Sequence, residues 1–131
     1  MSMIAAVAID GLVRILSVET CTVTRTYDPG QRCLVCCWSS DGLSIACGCE
    51  SGTVMLMTAV DGAIKWSANA HSGWVKGVCF TDDGMSLCSC SYDGTVVTMS
   101  GNSGAELEVV QAHSGWVMNC AASKESEGIC S

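Results

Sequence analysis

An internal repeat of 42 residues limits the possible folds of this chain more than any other feature. The hexapeptide AHSGWV occurs twice, beginning at Ala70 and again at Ala112. The tetrapeptide SGTV beginning at Ser51 returns as DGTV beginning at Asp93, and a weaker copy, DGLV, begins at Asp10. A fixed period of this length indicates that one supersecondary unit is repeated along the chain.

Each period contains short strand patterns separated by turn residues. In one period, four runs of β-branched and small apolar residues are typical of strands: Val75–Thr81, Met85–Ser91, Thr95–Ser100 and Ala105–Gln111. The residues between these runs are Asp-Asp-Gly, Asp-Gly and Asn-Ser-Gly, which tolerate the positive φ of tight hairpin turns. Four strands in about 42 residues predict one blade of a β-propeller, so we expect an all-β fold.

The repeat divides the chain into blades. We expect a partial blade at 1–27, complete blades at 28–69 and 70–111, and the start of a further blade at 112–131. The partial blade contains three predicted strands, which are Met3–Ile9, Val13–Val18 and Thr22–Thr26. The last segment contains a predicted first strand, Val117–Ala121, and the beginning of a second at Ile129. Turns are expected at Asp41-Gly42, Asp83-Gly84 and Asp93-Gly94.

The order of these motifs resembles that of the WD-repeat (tryptophan-aspartate repeat) family of β-propellers. From His71 to Gly104 the chain has a His, a short loop, Val-x-x-Val-x-Phe, Asp-Gly, a strand of small residues, Asp-Gly-Thr-Val, a third strand and a Gly turn. The repeats are divergent, because other dipeptides stand where Trp-Asp should end the third strand: Leu16-Ser17, Met57-Thr58 and Met99-Ser100. The resemblance implies about three blades of a partial propeller that binds other proteins.

The resemblance also implies a hydrogen-bond network that fixes the loops of a blade. Its members would be a loop histidine, a serine of the second strand and the aspartate of the next turn: His71, His113, Ser89, Ser91 and Asp93. The family's third-strand Trp is replaced by Met99, which has no N–H to donate. Ser, His and Asp could also form a hydrolase triad. Because no Gly-x-Ser-x-Gly elbow accompanies them, we expect a structural role and no enzymatic activity.

Eleven cysteines suggest a metal site at first, because three pairs have zinc-like spacings: Cys33 and Cys36, Cys47 and Cys49, Cys88 and Cys90. The repeat argues against this interpretation. Cys47 aligns with Ser89 and Cys88 aligns with Ala46, so the two Cys-x-Cys pairs should lie on opposite faces of equivalent strands. We expect thiols that pack as small hydrophobes, such as Cys36, Cys37 and Cys79, with no metal and no cofactor. The alternative function is a metal- or redox-responsive protein.

The loop that enters each first strand is the candidate partner-binding site. It contains Ser72 and Trp74 in one repeat, and Ser114 and Trp116 in the next. Loops on a rigid scaffold often hold binding residues, and Trp is enriched at interaction hot spots. Alternatively, each indole packs on the neighbouring blade, as we expect for Trp38 at an inter-blade core position.

The charge balance disfavours other kinds of partner. With 13 acidic residues against six Lys and Arg, the net charge is −7, so there is no basic surface for nucleic-acid phosphates or an anionic membrane. The apolar run Met3–Ile9 is too short for a signal peptide or a membrane span. We therefore expect an intracellular, cytoplasmic protein that acts as a non-catalytic protein–protein interaction scaffold.

The number of blades is lower than a closed propeller requires. The 131 residues supply about three blades, whereas closed propellers have about four to eight. One explanation is that the chain is a fragment of a larger propeller. The other is a homo-oligomer, in which Val117–Ala121 of one copy docks beside Met3–Ile9 of another. The sequence leaves both explanations open.

Overall fold

Three antiparallel sheets follow one another in the computed structural model, which describes residues 3–7, 10–81, 84–111, 121–122 and 129–130. The first sheet contains β1 (Met3–Val7), β2 (Val13–Ser17) and β3 (Thr22–Tyr27). The second sheet contains β4 (Cys33–Trp38), β5 (Ser44–Cys49), β6 (Thr53–Thr58) and β7 (Ile64–Asn69). The third sheet contains β8 (Val75–Phe80), β9 (Ser86–Ser91), β10 (Thr95–Ser100) and β11 (Glu106–Gln111). A separate pair consists of β12 (Ala121–Ala122) and β13 (Ile129–Cys130).

The all-β prediction is confirmed, and the strands lie close to their predicted positions. In the third sheet, each observed end differs from the predicted one by at most one residue. Gly42 and Gly94 adopt φ of 74° and 89°, as the predicted tight turns require. Most of the predicted strand Val117–Ala121 lies outside the described residues. In the described part of the chain, no helix is long and apolar enough to cross a membrane.

The repeat extends to the irregularities of the backbone. The register of the third and fourth strands shifts after Leu56 in the second sheet and after Thr98 in the third sheet. The first two strands of each sheet shift as well, after Cys33 and after Val75. Each pair of shifts is 42 positions apart, so the two sheets share β-bulges as well as strands. The sequence period is therefore a period of backbone geometry.

Two apolar layers of the core lie between the sheets. Between the first and second sheets, Val13 and Ile15 pack with Ile45, Met55 and Met57. The layer between the second and third sheets contains residues from both: Ala46, Val54, Leu56, Trp66, Val75, Leu87, Val97 and Met99. Alternate residues of the second sheet thus face opposite neighbours, because side chains of a strand alternate between its two faces. Trp38 packs against the first of these layers, at the inter-sheet position expected for it.

Candidate functional site

His71 lies at the centre of a buried polar network in the loop between β7 and β8. Its backbone N–H donates to the Gly52 carbonyl oxygen at 3.1 Å, which ties the loop to the second sheet. Its side chain is 0% exposed. Nε2 is 2.8 Å from the Ser89 hydroxyl, and Nδ1 is 2.9 Å from the Thr95 hydroxyl and 3.2 Å from Asp93 Oδ2. The loop is therefore held by groups from both β9 and β10.

Asp93 organises the turn between β9 and β10. Its carboxylate accepts the Ser72 amide at 3.0 Å, the Thr95 amide at 2.9 Å and the Thr95 hydroxyl at 2.5 Å. The Asp93 amide in turn donates to the Ser91 hydroxyl at 3.1 Å. The structure thus brings together the predicted residues His71, Ser89, Ser91 and Asp93. His113, predicted for the next repeat, lies outside the described residues.

Thr95 belongs to this network but was missing from the sequence prediction. The signal was present, because Thr95 is the third residue of the Asp-Gly-Thr-Val motif at 93–96. The family resemblance instead indicates the third-strand Trp position, which Met99 occupies here. Met99 at that position is 1% exposed and packs between the second and third sheets, away from any hydrogen-bonding role.

The network holds a neutral imidazole beside a charged carboxylate. Burial lowers the pKa of His71, and this effect outweighs the nearby Asp93 carboxylate, which raises it. Burial raises the pKa of Asp93, but hydrogen bonds from Thr95 and Ser72 outweigh that effect and bring the pKa below its usual value. In the neutral imidazole, Nδ1–H donates towards Thr95 and Asp93, while Nε2 accepts the Ser89 hydroxyl.

Ser89, His71 and Asp93 make the contacts of a hydrolase triad, but a substrate cannot reach the Ser89 hydroxyl. Ser89 is 0% exposed and lies inside strand β9, whereas a catalytic serine must meet a substrate carbonyl. A serine in this position can hold the histidine in place but cannot attack a substrate. The network therefore holds the loop between β7 and β8 against the turn between β9 and β10.

The second sheet lacks this network. The positions 42 residues before His71, Ser89 and Asp93 are occupied by Pro29, Cys47 and Ser51, as the printed sequence shows. None of these side chains can reproduce the imidazole, hydroxyl and carboxylate arrangement. Within the described residues, the loop that leads into β8 is thus fixed by chemistry that its counterpart before β4 does not have.

The fixed loop carries one exposed aromatic side chain, Trp74. Trp74 is 43% exposed and stacks on Tyr92, with ring centroids 5.8 Å apart and planes at 24°. Lys76 Nζ lies 5.3 Å from the centre of the Tyr92 ring. We name Ser72, Trp74, Lys76 and Tyr92 the aromatic surface. Trp74 thus packs on a ring of its own sheet, and Tyr92 was missing from the sequence prediction. Ser114 and Trp116 lie outside the described residues.

The cysteines are distributed over both faces of the sheets. Cys47 and Cys49 pack towards the first sheet, whereas Cys90 packs in a cluster on the far face of the third sheet. Cys36 and Cys37 are partly buried on opposite faces of β4. The nine cysteines whose side chains the structure describes form no disulfide. In the same part of the chain, no group of three or more His, Cys, Asp or Glu side chains is placed to hold a metal ion.

Comparison with known families decides the classification. The family model for the WD domain, G-beta repeat, matches residues 21–56 and 62–97, which is more than half of the chain. The chain belongs to the WD40 family. This membership confirms the resemblance found in the sequence, with Met in place of the third-strand Trp in the second and third sheets. No match was found among curated protein sequences.

Solved WD40 structures show the same fold. The WD40 repeats of RRP9 and the structure of U3-55K each match with a TM-score of 0.83 and 23% identity, over 91% of this chain and 38% of theirs. A chain of the mitotic checkpoint complex matches with a TM-score of 0.86 and 23% identity, over 96% of this chain and 40% of its own. This WD40 chain therefore spans about two fifths of the length of the structures it matches.

Proposed function

We propose that this WD40 chain is a non-catalytic platform that binds other proteins through the aromatic surface. The observation that carries the proposal is the 43% exposure of Trp74, on a loop fixed by the buried His71 network. A large indole exposed to solvent loses contact with water when a partner covers it, and this favours binding. Trp is also enriched among the residues that dominate binding energies.

The geometry of the aromatic surface suits this role. Because Trp74 is stacked on Tyr92 and its loop is hydrogen bonded to Asp93, binding would immobilise few additional side chains. Lys76 adds one positive charge beside the rings. The net charge of −7 over the whole chain favours encounters with a basic partner. We therefore propose a partner of net positive charge that places an apolar or aromatic side chain on Trp74.

Two further observations support a binding role over a catalytic one. The Ser89 hydroxyl is buried, so the only Ser-His-Asp arrangement among the described residues has no access to substrate. One of the matching structures is a chain of a protein complex, the mitotic checkpoint complex.

We also propose that the three sheets form part of a larger propeller, whose other blades come from further chain or from a second copy. We propose a cytoplasmic location as well, where a reducing environment would keep the cysteine thiols free.

Comparative capture experiments test the proposed site. The full chain, a Trp74→Ala variant and a Val60→Ala control would each be immobilised and exposed to an extract of the source cells. Val60 is 65% exposed between β6 and β7, so the control removes an exposed apolar side chain away from the aromatic surface. Quantitative mass spectrometry should find proteins retained by the wild type and the control but lost with Trp74→Ala. Retention of the same proteins by Trp74→Ala, at equal thermal stability, would contradict the site.

A further inference from the structure

Four cysteines of the second sheet lie on one face, the face that packs against the first sheet: Cys33, Cys36, Cys47 and Cys49. Cys33 and Cys36 are three residues apart, so regular alternation would place them on opposite faces. The bulge between Cys33 and Val35 adds a residue to β4 and brings both side chains to the same face. The bulge in β4 is therefore what brings the Cys33 and Cys36 thiols to the same face.

Within this group two pairs are direct partners across β4 and β5, Cys33 with Cys49 and Cys36 with Cys47. Cys33 and Cys49 are both fully buried, whereas Cys36 is only partly buried. The Glu50 amide donates to the Arg32 carbonyl oxygen at 2.9 Å, so the adjoining Cys33–Cys49 pair occupies a non-hydrogen-bonded position. Side chains approach each other most closely at such positions, where the Cα atoms are about 4.5 Å apart. That separation falls within the range that a disulfide spans. The two Sγ atoms are already 3.4 Å apart.

Both thiols are covered by the first sheet. Cys33 and Cys49 are 0% exposed, and Val13 and Ile15 pack in the same cluster. Contact with the Cys47 thiol raises the pKa of Cys33 to about 12, and contact with Cys33 together with burial raises the pKa of Cys49. Because the thiolate is the reactive form, the pair is inert while the first sheet covers it.

We propose that Cys33 and Cys49 are a site of reversible disulfide formation, which a hydroperoxide reaches when the first sheet moves away from the second. One sulfur attacks the terminal peroxide oxygen, the O–O bond breaks, and a sulfenic acid forms while the alcohol, or water when the oxidant is hydrogen peroxide, leaves with the thiol proton. The other sulfur attacks the sulfenic sulfur and releases water, which carries the second thiol proton. Two electrons pass from the thiols to the peroxide, and the product ties β4 to β5.

Other cysteines provide the internal comparison. Cys79 and Cys88 are also partners, across β8 and β9. The Thr81 amide donates to the Ser86 carbonyl oxygen at 2.9 Å, which places the Cys79–Cys88 pair at a hydrogen-bonded position, where side chains are farther apart. We therefore expect the Cys79–Cys88 pair to react less readily than the Cys33–Cys49 pair.

Disulfide mapping on the full chain tests the assignment. The reduced protein would be treated with equimolar hydrogen peroxide, quenched with N-ethylmaleimide and digested with chymotrypsin, which cleaves after Trp38 and so separates the two strands. Tandem mass spectrometry should identify a Cys33–Cys49 linkage as the main product, and dithiothreitol should reverse it. A different main linkage, or Cys33 and Cys49 both alkylated after oxidation, would overturn the proposal.

A pair of matched variants tests the requirement for opening. Val13 and Val97 are equally buried, but Val13 lies between the first and second sheets and Val97 between the second and third. Val13→Ala should increase the rate of Cys33–Cys49 oxidation several-fold, because it loosens the cover of the thiols. Val97→Ala should leave that rate unchanged. Equal rates in the wild type and Val13→Ala, or equal acceleration by both variants, would overturn the role of the first sheet.

Discussion

Trp66 in β7 donates its indole N–H to the carbonyl oxygen of Gly101, between β10 and β11, at 2.9 Å. Tyr27 in β3 donates its hydroxyl in the same way to the Ala59 carbonyl oxygen at 2.6 Å. The two acceptors are 42 positions apart, whereas the two donors are 39 apart, so equivalent turn carbonyls accept from aromatic residues at different positions of the outer strand. In both cases the outer strand of one sheet is joined to a turn of the next sheet. The turn acceptor is therefore repeated between the sheets, although the position of its donor is not.

Gly62 lies beside the Tyr27 ring and Gly104 beside the Trp66 ring. The second of these contacts gives the first prediction. Gly104 has φ of 72°, and an added Cβ there would collide with the Trp66 ring. Gly42 has φ of 74° but open space around it, so it provides the matched control. Alanine at either site should cost about 1–2 kcal/mol for the left-handed backbone. Gly104→Ala should cost roughly 1–3 kcal/mol more, because of overpacking. Equal losses in urea unfolding would contradict the inter-sheet role of Trp66.

The Asp93 turn gives the second prediction. Asp93→Ala removes the acceptor of the Ser72 and Thr95 amides and should lower the free energy of unfolding by roughly 1–3 kcal/mol. The control is Asp61→Ala, because Asp61 is exposed and its carboxylate accepts the amide of Ala63, two residues away. The control should cost less than about 1 kcal/mol. An unchanged melting temperature for Asp93→Ala would remove the structural role assigned to the network.

The buried imidazole makes stability depend on pH. The pKa of His71 is lowered from 6.5 by burial, so its contribution is fully present above pH 6.5 and is lost as pH falls through the folded-state value. The pKa of Asp93 is lowered as well, so its contribution is lost only as pH falls below 3.8. Melting temperatures measured from pH 7 downwards should begin to fall near pH 6.5. The fall should be smaller in His71→Gln than in His113→Gln, and equal slopes would contradict the assignment.

The strands could be predicted because two signals agreed. The 42-residue offset aligned the turn glycines of different sheets, and runs such as Thr95–Ser100 have the β-branched residues that favour strands. Contacts that depend on bulges could not be predicted in this way. Alternation alone separates Cys33 from Cys36, whereas the shift after Cys33 places both on one face. A sequence pattern shows where a strand lies but not where its register slips.

Only the polar part of the candidate site could be predicted, from the residue types in its motif. The polar residues His71, Ser89 and Asp93 stood out because their types matched a known network. The stacking of Trp74 on Tyr92 could not be predicted, since the two residues are 18 positions apart and meet only when β8 and β9 pair. The direction of the Trp74 ring depends on this tertiary contact, so sequence reasoning left it open between a partner and a neighbouring blade.

The partly buried thiols give the fourth prediction. Cys36, Cys37 and Cys79 pack against three different apolar clusters. Valine has a similar volume, so Cys→Val at each position should lower the free energy of unfolding by less than about 1.5 kcal/mol. Chemical denaturation, together with metal analysis of the purified wild type and variants, would check this. Loss of folding with release of a metal ion would show that one of these residues is a ligand.

The outer edge of the third sheet gives the last prediction. All six residues of β11 are exposed, and Leu107, Val109 and Val110 are each at least 46% exposed. Within the described residues β11 pairs only with β10, and an edge strand that exposes apolar side chains can pair with another chain. We therefore expect the isolated chain to self-associate through β11, an interface different from the docking of Val117–Ala121 beside Met3–Ile9 considered from the sequence. Light scattering should then give a mass above the 13.6 kDa of one chain, and twice that value for a dimer.

Lysine substitutions decide whether β11 causes the association. Leu107→Lys with Val109→Lys should shift the chain towards monomer, because charged side chains oppose edge-to-edge pairing. Val60→Lys is the control, since Val60 is 65% exposed but lies between β6 and β7, away from this edge. A wild-type monomer at every concentration would exclude the homo-oligomer. Heterogeneous aggregates that the β11 substitutions do not disperse would instead favour a propeller fragment, because sheet faces that lack neighbouring blades would then cause the association.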